Sequence, residues 1–245
     1  MKMKLNLKVD NETFLSYFLP PLSQLPTPVA GENAIVHKKL LIFGDQGSGK
    51  TSLAKGIVNE AYKRYGARNV NAVRSSRGQL EELLAYGFDN KPVQIHIADD
   101  FTLDETPRAI LKQYFKCRHI WRAQLGAKHG YILSIFNIHR FHSSSKEIRS
   151  SANGMLAKSL SLNPYDVSFL KRLLGSDGVE DLKVIEEASE TSPKAKGFSV
   201  YYIRTGRKGI LFLPLASLSV PDIVSVRDKL TPEERYRRWK ISLQV

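Results

Sequence analysis

The feature of the sequence that most constrains its fold is an eight-residue glycine-rich segment, Gly44-Asp45-Gln46-Gly47-Ser48-Gly49-Lys50-Thr51. It follows the pattern G-x-x-x-x-G-K-[ST], between an apolar run that predicts a buried strand, Leu40–Phe43, and a helical pattern that begins at Ser52. Glycines let backbone N–H groups converge on phosphate oxygens, and the helix N-terminus adds its positive end. The sequence therefore predicts that these eight residues bind the phosphates of a nucleotide.

Within this phosphate-binding loop, two side chains carry chemistry. Lys50 is expected to reach the β- and γ-phosphates and to act in catalysis, and the Thr51 hydroxyl is expected to ligate Mg²⁺. The nucleotide is predicted to be ATP, because no Asn-Lys-x-Asp motif for guanine occurs in the chain. ATP and Mg²⁺ are thus the expected cofactors.

A second motif ends the apolar strand Val93–Ala98 with two consecutive acids, Asp99 and Asp100. This is the Walker B arrangement. Asp99 would hold the Mg²⁺ shell through water, and Asp100 would orient and deprotonate the attacking water. The alternative is a strand that ends with two solvated acids at a turn.

Three further polar residues are candidates for catalysis. Asn137 follows the apolar strand Tyr131–Phe136, at the point where P-loop enzymes of the additional-strand class carry a residue that senses the γ-phosphate or positions water. A guanidinium can bind two of the oxygens that carry the negative charge of a phosphoryl-transfer transition state. Arg140 and Arg149 are the candidates for this role, and in a ring such an arginine often acts on the site of a neighbouring subunit. The alternatives are a turn asparagine and two surface arginines.

Strands and helices alternate from Lys38 onward, which predicts an α/β fold. The expected class is a P-loop NTPase (additional-strand, RecA-like) with a mostly parallel sheet flanked by helices, ending in a C-terminal β-hairpin and helix. The predicted strands are Leu40–Phe43, Val70–Arg74, Val93–Ala98, Tyr131–Phe136 and Met155–Leu162, with hairpin strands at Phe198–Ile203 and Gly209–Leu213. The predicted helices lie near 50–65, 77–86, 106–125, 145–152, 165–174 and 179–188, and a capping box predicts a last one from Thr231.

The chain is divided by composition into three parts. Residues 1–30 form an N-terminal accessory segment whose prolines favour an extended strap over the domain surface, with a tether to a neighbouring subunit as the alternative. Residues 31–218 form the P-loop ATPase core. Residues 219–245 form a C-terminal helical extension.

The charge of the chain indicates its partner. A net charge of +13 and a pI near 9.7 favour a polyanion, either nucleic acid or an anionic membrane surface. On the helix predicted after Walker B, five basic residues fall within an arc of about 120° around the helix axis. They would bind the phosphates of a nucleic acid backbone, and the alternative is that they form only a solvated face. These residues are Arg108, Lys112, Lys116, His119 and Arg122.

Composition also suggests where the protein acts. Cys117 is the single cysteine, so an internal disulfide is impossible and a reducing compartment is favoured. No apolar stretch approaches the roughly 20 residues of a membrane helix, and the first residues lack the apolar core of a signal peptide. We expect a soluble protein of the cytoplasm, or of the host cytoplasm if the chain is viral.

The order of these parts resembles the HerA–FtsK group of P-loop ATPases, and more narrowly the genome-packaging ATPases of archaeal and large DNA viruses. The resemblance is carried by the strand and helix around Ile132–Phe141 and Lys146–Asn153, by the helix and glycine of Asn163–Gly175, and by the terminal hairpin. It implies ATP-driven translocation or packaging of double-stranded DNA by a ring, a hexamer or a pentamer. The chain departs from the family pattern at Asn137, which is usually Gln, and at Asp100, which is usually Glu.

Three other functions fit parts of the pattern. An AAA+ ATPase similar to DnaA or IstB also has a two-acid Walker B, but it needs a helical lid, which only the stretch near 164–188 could supply. A nucleotide-gated scaffold with weak turnover would bind ATP without DNA-stimulated hydrolysis. A small-molecule kinase would need an arginine-rich lid.

Overall fold

The fold is built on one eight-stranded sheet. The structure, a computed structural model, describes residues 3–25, 34–75, 80–101, 108–139, 150–160, 164–214, 223–229 and 231. The strands are β1 (Ala34–Phe43), β2 (Val70–Ser75), β3 (Val93–Ala98), β4 (His129–Ile138), β5 (Gly154–Ala157), β6 (Phe198–Ile203), β7 (Lys208–Phe212) and β8 (Val224–Ser225).

The order of the strands identifies the class of the fold. Across the sheet the order is β7-β6-β5-β1-β4-β3-β2-β8. The strands from β5 to β8 in this order run parallel, and the β6–β7 hairpin pairs antiparallel to β5. Because β4 lies between β1, which leads into the phosphate-binding loop, and β3, which leads into the two acids, the predicted additional-strand P-loop fold is confirmed.

Helices cover both faces of the sheet. They are α1 (Asn11–Phe18), α2 (Lys50–Tyr65), α3 (Leu80–Tyr86), α4 (Arg108–Phe115), α5 (Cys117–Leu125) and α6 (Pro164–Thr191). Alternate residues of each buried strand face opposite sides, so that Leu40 and Ile42 pack with α1 and α2, whereas Leu41 and Phe43 share a core with α3 to α6. None of the helices among these described residues is long and apolar enough to cross a membrane.

The N-terminal residues pack onto the domain itself. Residues 8–10 bond to the backbone of Ile210 in β7, and the buried Asp181 carboxylate of α6 accepts hydrogen bonds from the backbone of residues 6 and 7. Phe14 and Phe18 of α1 are completely buried against the sheet. The predicted domain boundaries at residues 30 and 218 stay predictions. Strand β8, which follows residue 218 in the chain, pairs with β2 and so belongs to the same sheet as the predicted core.

Several predicted elements have different bounds in the structure. The predicted strand Met155–Leu162 is wrong at its end, because β5 stops at Ala157 and Ser159 bonds to the phosphate-binding loop at Asp45. The two helices predicted near 165–174 and 179–188 are joined in α6, which has a kink at Gly175. The predicted C-terminal helix lies outside the described residues beyond Thr231.

The helix predicted over 106–125 is divided at Lys116. The Lys116 amide donates to Gln113 and the His119 amide donates to Lys116, a spacing of three residues that is tighter than an α-helical turn. The predicted single helix is therefore two helices, α4 and α5, and the stripe of five basic residues predicted along it stays a prediction. The residues from Arg108 to His119 in that set are exposed, while Arg122 is half-buried.

Candidate nucleotide-binding site

The candidate site lies at the carboxyl ends of three neighbouring strands. Pairing of β1 with β4 places Phe43 opposite Ile138, and pairing of β3 with β4 places Ala98 opposite Phe136. The phosphate-binding loop, the two acids and Asn137 therefore meet at one edge of the sheet. Residues 46, 47 and 49–52 line a cavity of about 440 Å³ together with Asp100 and His139, a volume in the range of small-ligand pockets.

The phosphate-binding loop passes directly from β1 into α2. Gly49 has φ of 90° and precedes the first residue of the helix, so the left-handed conformation that only glycine adopts easily is required at this point. Lys50 is the first residue of α2, and its ammonium donates to the carbonyl oxygens of Gly44 at 2.7 Å and Asp45 at 2.9 Å. The loop thus curls around the lysine that the sequence predicts to meet the phosphates.

Lys50 is 6% exposed, and its environment affects its protonation. Burial lowers the pKa of Lys50 from its ordinary value, while the carboxylates of Asp100, Asp45 and Asp99 act in the opposite direction. Nearby acids thus stabilise the ammonium form, which is the form that attracts phosphate.

The two residues that follow β5, Lys158 and Ser159, contact the phosphate-binding loop. The Ser159 hydroxyl accepts a hydrogen bond from the Asp45 amide at 2.8 Å and lies 3.2 Å from the Asp45 carboxylate. A Cβ on Gly44 would lie 2.9 Å from the Cβ of Lys158, which leaves no room for another residue there. The buried Lys158 ammonium donates to the carbonyl oxygens of Lys196 and Phe198.

Asp99 is the centre of the predicted metal site. Its Oδ1 accepts a hydrogen bond from the Thr51 hydroxyl at 3.0 Å and from the Asn137 amide at 2.7 Å. An Arg74 guanidinium nitrogen lies 3.7 Å from its other oxygen, Oδ2. The structure therefore brings together Thr51 and Asp99, the two predicted metal residues, and places the predicted sensor Asn137 beside them.

The donors at this position suit Mg²⁺. A hydroxyl oxygen and a carboxylate oxygen 3.0 Å apart are the hard oxygen groups that this ion takes in phosphate-binding sites. The Asn137 Oδ1 atom is buried and has no hydrogen-bond partner among the described residues. Such an acceptor can bind a water molecule of the metal shell or the attacking water, which fits the sensor role predicted for this residue.

Asp100 projects from the turn after β3. Its φ of 49° lies in the left-handed region, which aspartate tolerates better than most residues. This conformation lets Phe101 return to the core, where it is 3% exposed and packs edge-on against Phe136. The Asp100 side chain is 66% exposed and accepts a hydrogen bond from His139 Nε2 at 3.0 Å.

The structure locates most of the predicted site residues. Gln46 and Gly47 line the cavity, and the Ser48 hydroxyl is buried without a hydrogen-bond partner among the described residues. Arg140 and Arg149 lie outside the described residues, so their predicted roles stay predictions.

Sequence reasoning missed His139 and Arg74. The period of two along a strand places residue 139 on the same side of the chain as Asn137, and this signal could have identified His139. Arg74 lies near the carboxyl end of β2, but its distance from Asp99 depends on the pairing of β2 with β3.

Comparisons with known proteins give similarity in structure alone. No protein-family model and no curated protein matches the chain. Among solved structures, it is similar to the genome-packaging NTPase B204 from Sulfolobus turreted icosahedral virus 2 in complex with ATP-gammaS, with 12% identity and a TM-score of 0.47 over 73% of this chain and 98% of that one. The DNA-packaging ATPase B204 from Sulfolobus Turreted Icosahedral Virus matches with 12% identity and a TM-score of 0.45 over 71% of this chain and 96% of that one.

The pCW3 conjugation coupling protein TcpA, in its monomer form with ATPgS, matches with 12% identity and a TM-score of 0.37 over 75% of this chain and 60% of that one. Because the identities and TM-scores are low, the function proposed below depends on the residues of this chain.

The buried Lys158 beneath the loop predicts a pH-dependent stability. Burial lowers its pKa to about 7, below the ordinary value of 10.5, so above pH 7 the unfolded chain binds a proton that the folded chain has lost. Stability then rises with pH, by about 3 kcal/mol between pH 7 and pH 9.5 from this group alone. Urea unfolding of the wild type and of Lys158→Met at both pH values measures this rise as the difference between the two proteins. An equal pH dependence in both would contradict the prediction.

Proposed function

We propose that this chain is a Mg²⁺-dependent ATPase that uses hydrolysis to move or package double-stranded DNA, as a ring-shaped homo-oligomer. The observation that carries the ATPase part is that Lys50, Thr51 and Asp100 line one cavity, while Asp99 accepts hydrogen bonds from Thr51 and from Asn137 directly behind it. Phosphoryl transfer from a nucleoside triphosphate needs a phosphate cradle, a metal site and a base at one place, and these residues supply all three.

The residues suggest how hydrolysis proceeds. The phosphates bind to the backbone N–H groups of the loop and to Lys50, which stabilises the negative charge on the β- and γ-oxygens. Thr51, with Asp99 beside it, would hold Mg²⁺, and the ion would supply positive charge to the phosphate oxygens. Asp100 accepts a proton from a water whose oxygen attacks the γ-phosphorus, while the bond to the bridging oxygen breaks and ADP leaves.

Asn137 orients groups around that attack. Its amide donates to Asp99 and so leaves its Oδ1 as an acceptor at the same edge of the site as Asp100. Its proposed role is to accept a hydrogen bond from a water that enters the site with the nucleotide. Arg140 and Arg149 remain the proposed arginines that act across a subunit boundary.

The proposed DNA contact uses the surface of α4 and α5. Arg108, Lys112, Lys116 and His119 are exposed, and the chain has a net charge of +13. Contacts of this kind neutralise phosphates without reading bases, which suits a motor that acts on any sequence. The alternative of an anionic membrane surface receives no separate support from these residues.

The AAA+ alternative is weakened by the position of α6. The stretch near 164–188, which would have to form a helical lid, lies in α6, and Leu170, Leu182 and Ile185 are completely buried in the core shared with the sheet. The helix connects β5 to β6 of the same sheet. Its packing therefore favours a core helix rather than a separate lid.

The ATPase proposal is tested by measuring phosphate release with and without long double-stranded DNA. We expect hydrolysis that DNA stimulates, and loss of at least about 100-fold in Lys50→Ala and in Asp100→Asn, since each removes a group that acts in the transition state. Unchanged binding of ATP in Asp100→Asn would separate catalysis from binding. Turnover that is indifferent to DNA would instead favour the nucleotide-gated scaffold.

The DNA-binding surface is tested by charge reversal. Lys112→Glu with Lys116→Glu should weaken binding of a labelled duplex and reduce the slope of log K against log salt by about 2, because each lost phosphate contact contributes about 0.9. The matched control reverses Lys63 and Arg68, which lie in and just after α2 on the opposite face of the sheet. Fluorescence anisotropy at several salt concentrations measures both. Equal losses in the two double variants would contradict this location.

A further inference from the structure

His139 connects two residues of the candidate site that have different roles. Its Nδ1 atom lies 3.2 Å from the Lys50 ammonium, and its Nε2 atom lies 3.0 Å from Asp100 Oδ1. Its side chain is 34% exposed and lines the cavity together with both partners. The mechanism proposed above gives this imidazole no function.

The partners of His139 determine which nitrogen carries its proton. An ammonium can only donate, so Nδ1 must accept the hydrogen bond from Lys50. Nε2 then carries the hydrogen and donates it to the Asp100 carboxylate, which is an acceptor when ionised. The result is a directed chain of hydrogen bonds from Lys50 through His139 to Asp100.

Lys50 has no free donor in this arrangement. Its three N–H groups are matched by three acceptors: the Gly44 and Asp45 carbonyl oxygens and His139 Nδ1. A γ-phosphate that binds Lys50 must therefore replace at least one of them. The two carbonyls belong to the backbone of the loop, whereas the imidazole is a partly exposed side chain that can rotate. The bond to His139 is the one most easily exchanged.

Loss of that bond affects the proposed base. The left-handed backbone of Asp100 fixes where its side chain begins, and among the described residues His139 is the hydrogen-bond partner recorded for its carboxylate. When the Lys50 ammonium donates to a phosphate instead of to His139 Nδ1, the imidazole keeps only its hydrogen bond to Asp100. Asp100 is then free to turn toward a water at the γ-phosphate.

We propose that His139 is a positioning residue that restrains Asp100 while the γ-phosphate position is empty and releases it when Lys50 binds that phosphate. This inference depends on the proposed ATPase function and adds to it a link between nucleotide occupancy and the orientation of the base. In the resting state the restraint opposes both phosphate binding by Lys50 and activation of water by Asp100.

The test compares His139→Ala, which removes the link, with His139→Gln, whose amide offers one acceptor and one donor. His139→Ala should bind ATPγS about 3- to 10-fold more tightly than the wild type and hydrolyse ATP about 3- to 10-fold faster without DNA, the effect of one lost hydrogen bond. His139→Gln should recover most of the restraint. Calorimetric titration gives the affinity, and phosphate release gives kcat and KM separately.

Several results would overturn the inference. Slower hydrolysis by His139→Ala with unchanged affinity would mean that the imidazole acts in the reaction itself. Wild-type values in His139→Ala would mean that the link has no effect, and an equal gain in both variants would mean that the effect does not come from the two hydrogen bonds. Tight ATPγS binding by a wild type that does not hydrolyse ATP would refute the proposed ATPase, while the affinities of the variants would still decide the role of His139.

Discussion

The parallel pairing of β4 between β1 and β3 is the constraint on which the candidate site depends. Ten residue pairs join β4 to β1, and six join it to β3. This register brings Asn137 beside Asp99 and His139 beside both Lys50 and Asp100. A shift of one residue would turn the β4 side chains to the opposite faces of the sheet and remove Asn137 and His139 from the site together.

The same strand also anchors the helices proposed to contact DNA. The Ser134 hydroxyl of β4 lies 2.8 Å from His37 Nε2 of β1 and 2.9 Å from the Tyr114 hydroxyl of α4; Ser134 and Tyr114 are completely buried and His37 is half-buried. Burial lowers the pKa of His37 well below its ordinary value, so the imidazole is neutral and can share hydrogen bonds with its neighbours. Because a broken network would leave buried polar groups unpaired, α4 is held firmly on β4.

Local patterns in the sequence predicted the parts of the site that depend on one segment. The loop from Gly44 to Thr51, the acids after β3 and the asparagine of β4 are each marked by an apolar run and a polar residue next to it. His139 was missed because its partners Lys50 and Asp100 are 89 and 39 residues away in the chain. The end of β5 and the turn at Lys116 were also missed, since both depend on packing and hydrogen bonds that override local propensity.

The central claim is that Thr51 and Asp99 form a metal site that helps this loop bind a nucleoside triphosphate. Calorimetric titration with ATPγS, in Mg²⁺ and in EDTA, tests it most directly when the wild type is compared with Thr51→Val. The account predicts that Mg²⁺ tightens binding to the wild type by about tenfold or more, and that Thr51→Val loses most of this gain. Binding of equal strength with and without Mg²⁺, or no binding by the wild type, would contradict it.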